Sequence, residues 1–363
     1  MYFPYFRGKM YDLAAVAELS EDIADSGKMC PIVEPVNVDT STQNKIGKFA
    51  ETGMPFLLIT NPHVGGLTKT PYDVKACLID KYLAECDTCI PAFIIDANTS
   101  QADITSFFLL YPDRDIAVIY DTEPTDKNFI SAVVNNANII YHLFFDYRTK
   151  RQLRSLVPLD KKVIIGDWFD KQDRNADYPV ESEFSDQYLV IPNSDYSHFG
   201  DFSIIGRAYS DSGGPPYAVA LHHIYAKATS GNALWVRHFV SDRTDSAVDP
   251  GGKFLEALTK LITTLPTLGA HNLTPVRDAY QALYAASRYP GLGVAKKLAI
   301  KHHLYLMLKL LSCAWVKALC PCPKICCGAS FRKGTPIFCC AMRIQAPARK
   351  MWSCCSIPRV IST

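Results

Sequence analysis

Six short apolar runs each stop on a side chain that could do chemistry. The run from Pro31 to Val33 ends at Glu34, Phe56 to Thr60 at Asn61, and Phe93 to Ile95 at Asp96; Ile116 to Tyr120 ends at Asp121, Ile139 to Phe145 at Asp146, and Val163 to Gly166 at Asp167. A seventh, aromatic-rich run near the N-terminus closes on Arg7-Gly8-Lys9. Carboxylates that converge in a partly dry cavity repel one another, so they raise their pKa values or recruit a hard divalent cation such as Mg²⁺ or Mn²⁺. Arg and Lys beside them bind an anionic group. The combination points to a phosphate-containing ligand, with metal-assisted cleavage of a phosphodiester or phosphoanhydride as the simplest reaction. Glu34, Asp96 and Asp121 are then the metal ligands, and Arg7, Lys9 and Asn61 bind the substrate. Asp167, His198 and Asp201 are the candidates for moving protons, His198 because imidazole titrates near working pH. The competing reading of any one of these acids is that it caps the next helix or solvates a turn.

For those residues to meet, one architecture is needed. The stops recur at intervals of 27, 35, 25, 25 and 21 residues, enough each time for a strand, a loop and a helix. That is the repeat of a parallel (β/α) protein, in which the strand ends share one face. The expected fold is α/β, a TIM-like (β/α)8 barrel. Its first strand runs from Tyr2 to Lys9, followed by a helix from Tyr11 to about Ala24 that Gly27 ends. Further helices are expected near Gln43 to Thr52, Tyr72 to Glu85, Gln101 to Leu110, Asp126 to Asn135 and Arg148 to Leu156, and an eighth strand from Asp201 to Gly206. The polar stretch from 170 to 200 reads as a long loop over the mouth.

Beyond about residue 212 the pattern changes. Two β-rich runs, Tyr217 to Ala226 and Ala233 to Val240, flank Ala228-Thr229-Ser230-Gly231-Asn232, which is hairpin chemistry. Helices follow near 252–264, 274–287 and 292–311. Residues 1–311 therefore read as a barrel with an appended C-terminal β-hairpin and helices, and 312–363 as an irregular Cys-rich tail that is not an independent domain.

Charge and cysteine divide the chain in the same way. Residues 1–278 hold 25 Lys and Arg against 36 Asp and Glu, a balance of 25 − 36 = −11, whereas 279–363 hold 13 basic residues and no acid. Four of the 13 cysteines precede residue 313, and the N-terminus has no basic, long apolar leader; both features lead us to expect a reducing, cytoplasmic setting. No run reaches the roughly 18 apolar residues of a membrane helix. A folded part at −11 disfavours nonspecific nucleic-acid binding and leaves any such association to the basic tail. The tail's cysteine doublets do not match a C-x₂-C pair of pairs. A metal-binding or acylated segment, a basic arm and a stretch without selected structure, such as an altered reading frame, all remain open.

Three smaller motifs are weaker. His63-Val64-Gly65-Gly66 could cradle a phosphate or form an ordinary turn. His222 and His223 are neighbours in a strand and point to opposite faces, so they cannot share one metal. Cys86-Asp87-Thr88-Cys89 precedes a strand, the wrong context for a redox pair.

Several segments together resemble a known family. They are Tyr5-Phe6-Arg7-Gly8-Lys9, Pro31-Ile32-Val33-Glu34-Pro35, Phe199-Gly200-Asp201-Phe202, the stretch from Ser212 to Ala220, Arg237-His238-Phe239 and His302-His303. Over roughly residues 1–311 the chain resembles the "beta protein" family of phages and bacteria. That resemblance implies a barrel-like protein without an established reaction, found in phage-related or mobile-element contexts and sometimes beside a nuclease, and it supplies no catalytic residues. Glycerophosphodiester phosphodiesterases are similar in placing Arg-Gly after the first strand, but they have His where this chain has Phe6. Two functions follow as expectations: a metal-dependent phosphodiester or phosphoanhydride hydrolase, or a non-catalytic binding component that senses a phosphate-containing ligand or the product of a neighbouring gene.

Overall fold

The computed structural model describes residues 1–68, 73–122, 124–145, 151–210, 214 and 216–319, with backbone alone for 151, 152 and 313–319. Asp146 and the cysteine doublets of 320–363 lie outside the described residues.

Eight parallel strands form one sheet in chain order: β1 (Tyr5–Phe6), β2 (Ile32–Val33), β3 (Phe56–Ile59), β4 (Cys89–Ile95), β5 (Ile116–Tyr120), β6 (Ile139–Phe145), β7 (Lys162–Gly166) and, after an insertion carrying β8 (Glu181–Ser185), β9 (His198–Asp201). The sheet closes on itself through Tyr2, which bridges to both Met29 and Phe199, and through the Phe3 N–H, which donates to the Phe199 carbonyl at 2.8 Å. This is a nearly closed TIM-like (β/α)8 barrel. Gly200 is required at the seam: a Cβ there would lie 1.9 Å from the Phe3 carbonyl oxygen.

The helices between strands are α1 (Met10–Ala17), α2 (Ser20–Ser26), α3 (Thr40–Glu51), α4 (Asp80–Tyr82, continuing a π-turn over Lys75–Ile79), α5 (Gln101–Leu110), α6 (Lys127–Val134) and α7 (Arg151–Leu156). Their starts follow local chemistry. Asp39 and Asp126 accept from the backbone N–H of Thr42 and Phe129, and Ser100 with Asp103 forms a reciprocal capping box on α5. The single helix expected from Tyr11 to Ala24 is two, α1 and α2.

Alternation along the strands sorts the core into two shells. Tyr5, Ile32, Ile59, Ile94, Ile119 and Ile165 fill the barrel interior. Phe6, Val33, Leu58, Ile95, Tyr120 and Ile164 face outward into the helical layer.

Two expectations need correction. The eighth barrel strand is His198–Asp201 and not Asp201 to Gly206: Ser203 takes a positive φ of 51°, and Ser203–Ile205 form a 3₁₀ turn. The stretch from 170 to 200 is not a plain loop. It includes a short helix, α8 (Gln187–Val190), and its β8 becomes the edge of a second, antiparallel sheet of order β10 (Ala220–Ala226), β11 (Leu234–Val240), β8. The expected hairpin is thus tied to the barrel by a strand borrowed from the β7–β9 connection.

Helices α9 (Pro250–Thr264) and α10 (Val276–Ala285) cover that sheet through Phe254, Leu258, Leu261 and Tyr280 against Leu221 and Phe239. The last helix, α11 (Leu292–Leu319), packs on both α1 and β10 and runs eight residues past the boundary expected at 311. Met1–Leu319 form one compact unit. Among the described residues no helix is long and apolar enough to cross a membrane.

Candidate functional site

The interior parity of Tyr5, Ile32, Ile59, Ile94, Ile119 and Ile165 carries two residues further, to Arg7, Glu34, Asn61, Asp96, Asp121 and Asp167. All six therefore sit at the C-terminal end of the barrel strands, on the interior side of their chains. What each does there differs.

Glu34 is fully buried and is the hub of the wall between β1 and β2. One carboxylate oxygen forms an ion pair with Arg7 and accepts from the Tyr5 hydroxyl at 2.6 Å; the other accepts the His63 backbone N–H at 2.7 Å. Arg7 stacks over the Tyr5 and Phe202 rings, 5.0 and 5.4 Å from their centroids. Burial pushes the Tyr5 phenol well above its ordinary pKa, and the Glu34 charge adds to this, so Tyr5 serves as a donor.

A residue that local patterns do not reveal, Arg207, joins this wall to the far side of the mouth. Arg7 Nη2 donates to the Arg207 carbonyl at 2.6 Å, and the Arg207 N–H donates to Asp167 at 3.1 Å. Its backbone is thus held from two sides. The Arg207 guanidinium lies 4.8 Å over the Phe145 ring and pairs with Asp121, both side chains being about one third exposed.

Asn61 serves the sheet. Its Nδ2 donates to the Ile94 carbonyl and its Oδ1 accepts the Ile94 N–H, both at 2.8 Å. The reason is Pro62: the parallel ladder next needs an N–H at that position, and proline has none. Asp96 bonds within its own turn, accepting the Thr99 hydroxyl at 2.8 Å and the Asn98 N–H at 2.9 Å, with His63 Nδ1 3.9 Å away. Partial burial acts to raise its pKa, but those hydrogen bonds and His63 outweigh it and hold the carboxyl below its ordinary value.

Three expected site residues lie elsewhere. Lys9 leaves the mouth: its ammonium donates to the Ser210 carbonyl and stacks over Tyr209. Asp201 follows Gly200 and so faces outward, where its Oδ1 accepts the Tyr2 hydroxyl at 2.9 Å and the Ser203 N–H at 2.7 Å. Burial pushes its pKa up to about 7, against the effect of the two hydrogen bonds. His198 starts β9 and therefore stands at the opposite end of the barrel, bonded to the N-terminal amine at 3.0 Å and the Asp160 carbonyl at 2.9 Å. Burial lowers its pKa to about 4.

The carboxylates expected to share a Mg²⁺ or Mn²⁺ ion do not fit that role as they stand. Glu34 is committed to Arg7, Tyr5 and His63, Asp121 to Arg207, and Asp96 to its own turn. Among the described residues no group of three or more His, Cys, Asp or Glu side chains comes together as a metal site. The arrangement is one of arginines fixed by carboxylates over an aromatic floor, which suits anion recognition better than cation binding.

His222 and His223 do point to opposite faces of their strand. His222 Nδ1 meets His238 Nδ1 at 2.9 Å, while His223 stacks on His302 with centroids 3.7 Å apart. Cys86 and Cys89 are free thiols. No protein-family model matches the chain, and no curated protein matches it.

Proposed function

We propose that this chain is a barrel protein that binds a phosphate-bearing small molecule at its mouth, with Arg207 as the residue that engages the phosphate. The observation that carries the reading is the clamping of Arg207. Arg7 holds its carbonyl and Asp167 its N–H, so the guanidinium is presented over Phe145 with little conformational freedom left to lose on binding. A phosphate would exchange with Asp121 for the fork of donors.

Phosphodiester hydrolysis is the second reading, favoured by His63 beside Asp96, a partly exposed acid and base on the same rim. A divalent ion in that reading would be held by Asp96 and by an Asp121 that has left Arg207, so Mn²⁺ binding would be lost in Asp96→Asn.

The test is a thermal-shift titration of the full chain with inorganic phosphate and pyrophosphate, each with and without Mn²⁺. A ligand selective for the folded state raises the melting temperature. We expect a metal-independent shift that Arg207→Gln abolishes without lowering the unliganded melting temperature. The same shift in wild type and Arg207→Gln, or none with any phosphate compound, overturns the reading and favours a protein partner.

A further inference from the structure

The segment after β9 faces two ways. Arg207 turns to the barrel mouth, while Ile204, Ile205, Ala208 and Ser210 line a different cleft of about 350 Å³, at the junction of the barrel, the second sheet and α11. That volume is at the lower end of the range for small-molecule sites.

Its lining is chemically one-sided. Lys9, Lys171 and Lys296 contribute to it, and among the described residues no Asp or Glu lines it. The compact unit of residues 1–319 holds 31 Lys and Arg against 36 Asp and Glu, a balance of 31 − 36 = −5, so three lysines gathered at one cleft run against its net charge. Lys296 is anchored from behind: its ammonium sits 2.8 Å from the buried Asp12 carboxylate, in ion-pair contact without hydrogen-bond alignment. Lys171 is exposed at the rim. Asn175 and Ser210 add polar groups, and most of the remaining lining is apolar or aromatic, with Phe169 and Tyr178 from the β7–β8 connection and Leu292, Ala295 and Ala299 on one face of α11.

One further lining residue, His222, is wired to a hydroxyl. Ser182 Oγ meets His238 Nε2 at 2.9 Å, and His238 Nδ1 meets His222 Nδ1 at 2.9 Å. Each of these two contacts holds a single proton between its two atoms. When Ser182 donates to His238, His238 donates to His222, and His222 keeps its proton on Nε2 as a donor. When the chain runs the other way, His222 Nε2 is an acceptor. The relay therefore lets a neutral histidine adapt to an anion or to a hydroxyl without a change of charge.

We propose that this cleft is a second binding site, for a phosphomonoester with a flat apolar body of nucleotide size. Lys171 and Lys296 hold the phosphate, and Tyr178 and Phe169, whose ring centroids are 5.9 Å apart, line one side of the body. The site shares no residue with the mouth and stands whether or not the mouth reading holds.

Calorimetric titration of the full chain with adenosine 5′-monophosphate, adenosine and inorganic phosphate tests it. Saturable binding of the monophosphate is expected, with adenosine and phosphate each at least about tenfold weaker. Lys171→Ala should weaken it by about tenfold, the loss of one charge-assisted contact. Ala208→Trp, at an exposed lining position, should fill the cleft and abolish binding at an unchanged melting temperature, and Arg207→Gln should leave the affinity as it was. The proposal is overturned if the monophosphate fails to bind at millimolar concentration or if Ala208→Trp binds as wild type does. It is equally overturned if Arg207→Gln abolishes binding, which would put the phosphate in the mouth.

Discussion

Arg7 and Glu34 form an ion pair inside the barrel mouth in which the carboxylate has no exposure and the guanidinium side chain only 12%. Removing water from two charges is costly, and the pair is stable because Tyr5 and the His63 N–H occupy the remaining acceptor positions of the carboxylate. Deleting one partner leaves the other charge uncompensated. Glu34→Gln should therefore destabilise the fold by about 3 kcal/mol, the low end for a broken buried pair because Arg7 still reaches some solvent. Arg7→Met combined with Glu34→Gln should recover part of that loss. Urea titrations of the two variants and wild type measure both numbers, and a double variant less stable than Glu34→Gln would show that Arg7 contributes mainly by stacking on Tyr5 and Phe202.

Asn61 makes a sharper structural prediction than its place at a strand end suggests. Its amide replaces the N–H that Pro62 lacks, so Asn61→Ala strands both polar groups of Ile94. The expected loss is about 1–3 kcal/mol in chemical denaturation. Ligand binding at the mouth should be retained in the folded fraction. A variant with unchanged stability and lost binding would return Asn61 to the role of substrate residue.

The strand ends are legible because each barrel strand is an apolar run of fixed parity, and parity two residues past Ile32 or Ile119 places Glu34 or Asp121 without any knowledge of contacts. Legibility failed where the strand itself is weakly marked. His-Phe-Gly-Asp at 198–201 is short and polar, whereas the neighbouring Phe202 to Ile205 is the more apolar run. Yet Ser203 turns that run into a 3₁₀ bend whose isoleucines pack against the helical layer and line the cleft. That slip put Asp201 and His198 at the mouth when one faces outward and the other stands at the far end. Arg207 is hidden for the same reason, since it follows this short and weakly marked strand. The cleft was invisible because its lining comes from residues near 9, 171–178, 204–210, 220–222 and 292–299, which no local pattern links.

Asp201 gives a pH-dependent test. Its pKa of about 7 in the folded protein lies above the ordinary 3.8, because burial disfavours the charged form. The folded state thus binds the proton more tightly than the unfolded state. The stability contributed by the protonated carboxyl is complete below about pH 3.8 and is lost as pH rises to 7. Asn cannot titrate, and its Oδ1 can keep both hydrogen bonds, since Tyr2 and Ser203 donate to the same oxygen. Asp201→Asn should therefore gain on wild type by on the order of a few kcal/mol between pH 4 and pH 8. Urea midpoints of both proteins at pH 4.5, 6 and 8 decide it, a pH-independent difference being the contrary result.

The histidines around the second sheet act with the opposite sign and in greater number. Burial lowers the pKa of His222 and His303 to about 3 and of His238 and His302 to about 4, and takes His223 well below the ordinary value. All five are neutral when folded, whereas in the unfolded chain each takes up a proton below about pH 6.5. The unfolded state then binds more protons, so stability falls as pH drops through 6.5 toward 4. Five such groups outweigh the single contrary Asp201, and the melting temperature should decline from about pH 6.5 downward, above the range where ordinary carboxylates titrate. His223 is the most informative site, because neither of its ring nitrogens has a hydrogen-bond partner among the described residues and its ring stacks on His302. His223→Phe keeps the stack, removes two unsatisfied polar atoms and deletes one titration. It should leave the protein as stable as wild type or more so at pH 7.5, with the advantage widening at pH 5.5. Melting curves at those two pH values measure the effect, and an advantage that shrinks on acidification would mean that His223 is protonated in the folded protein.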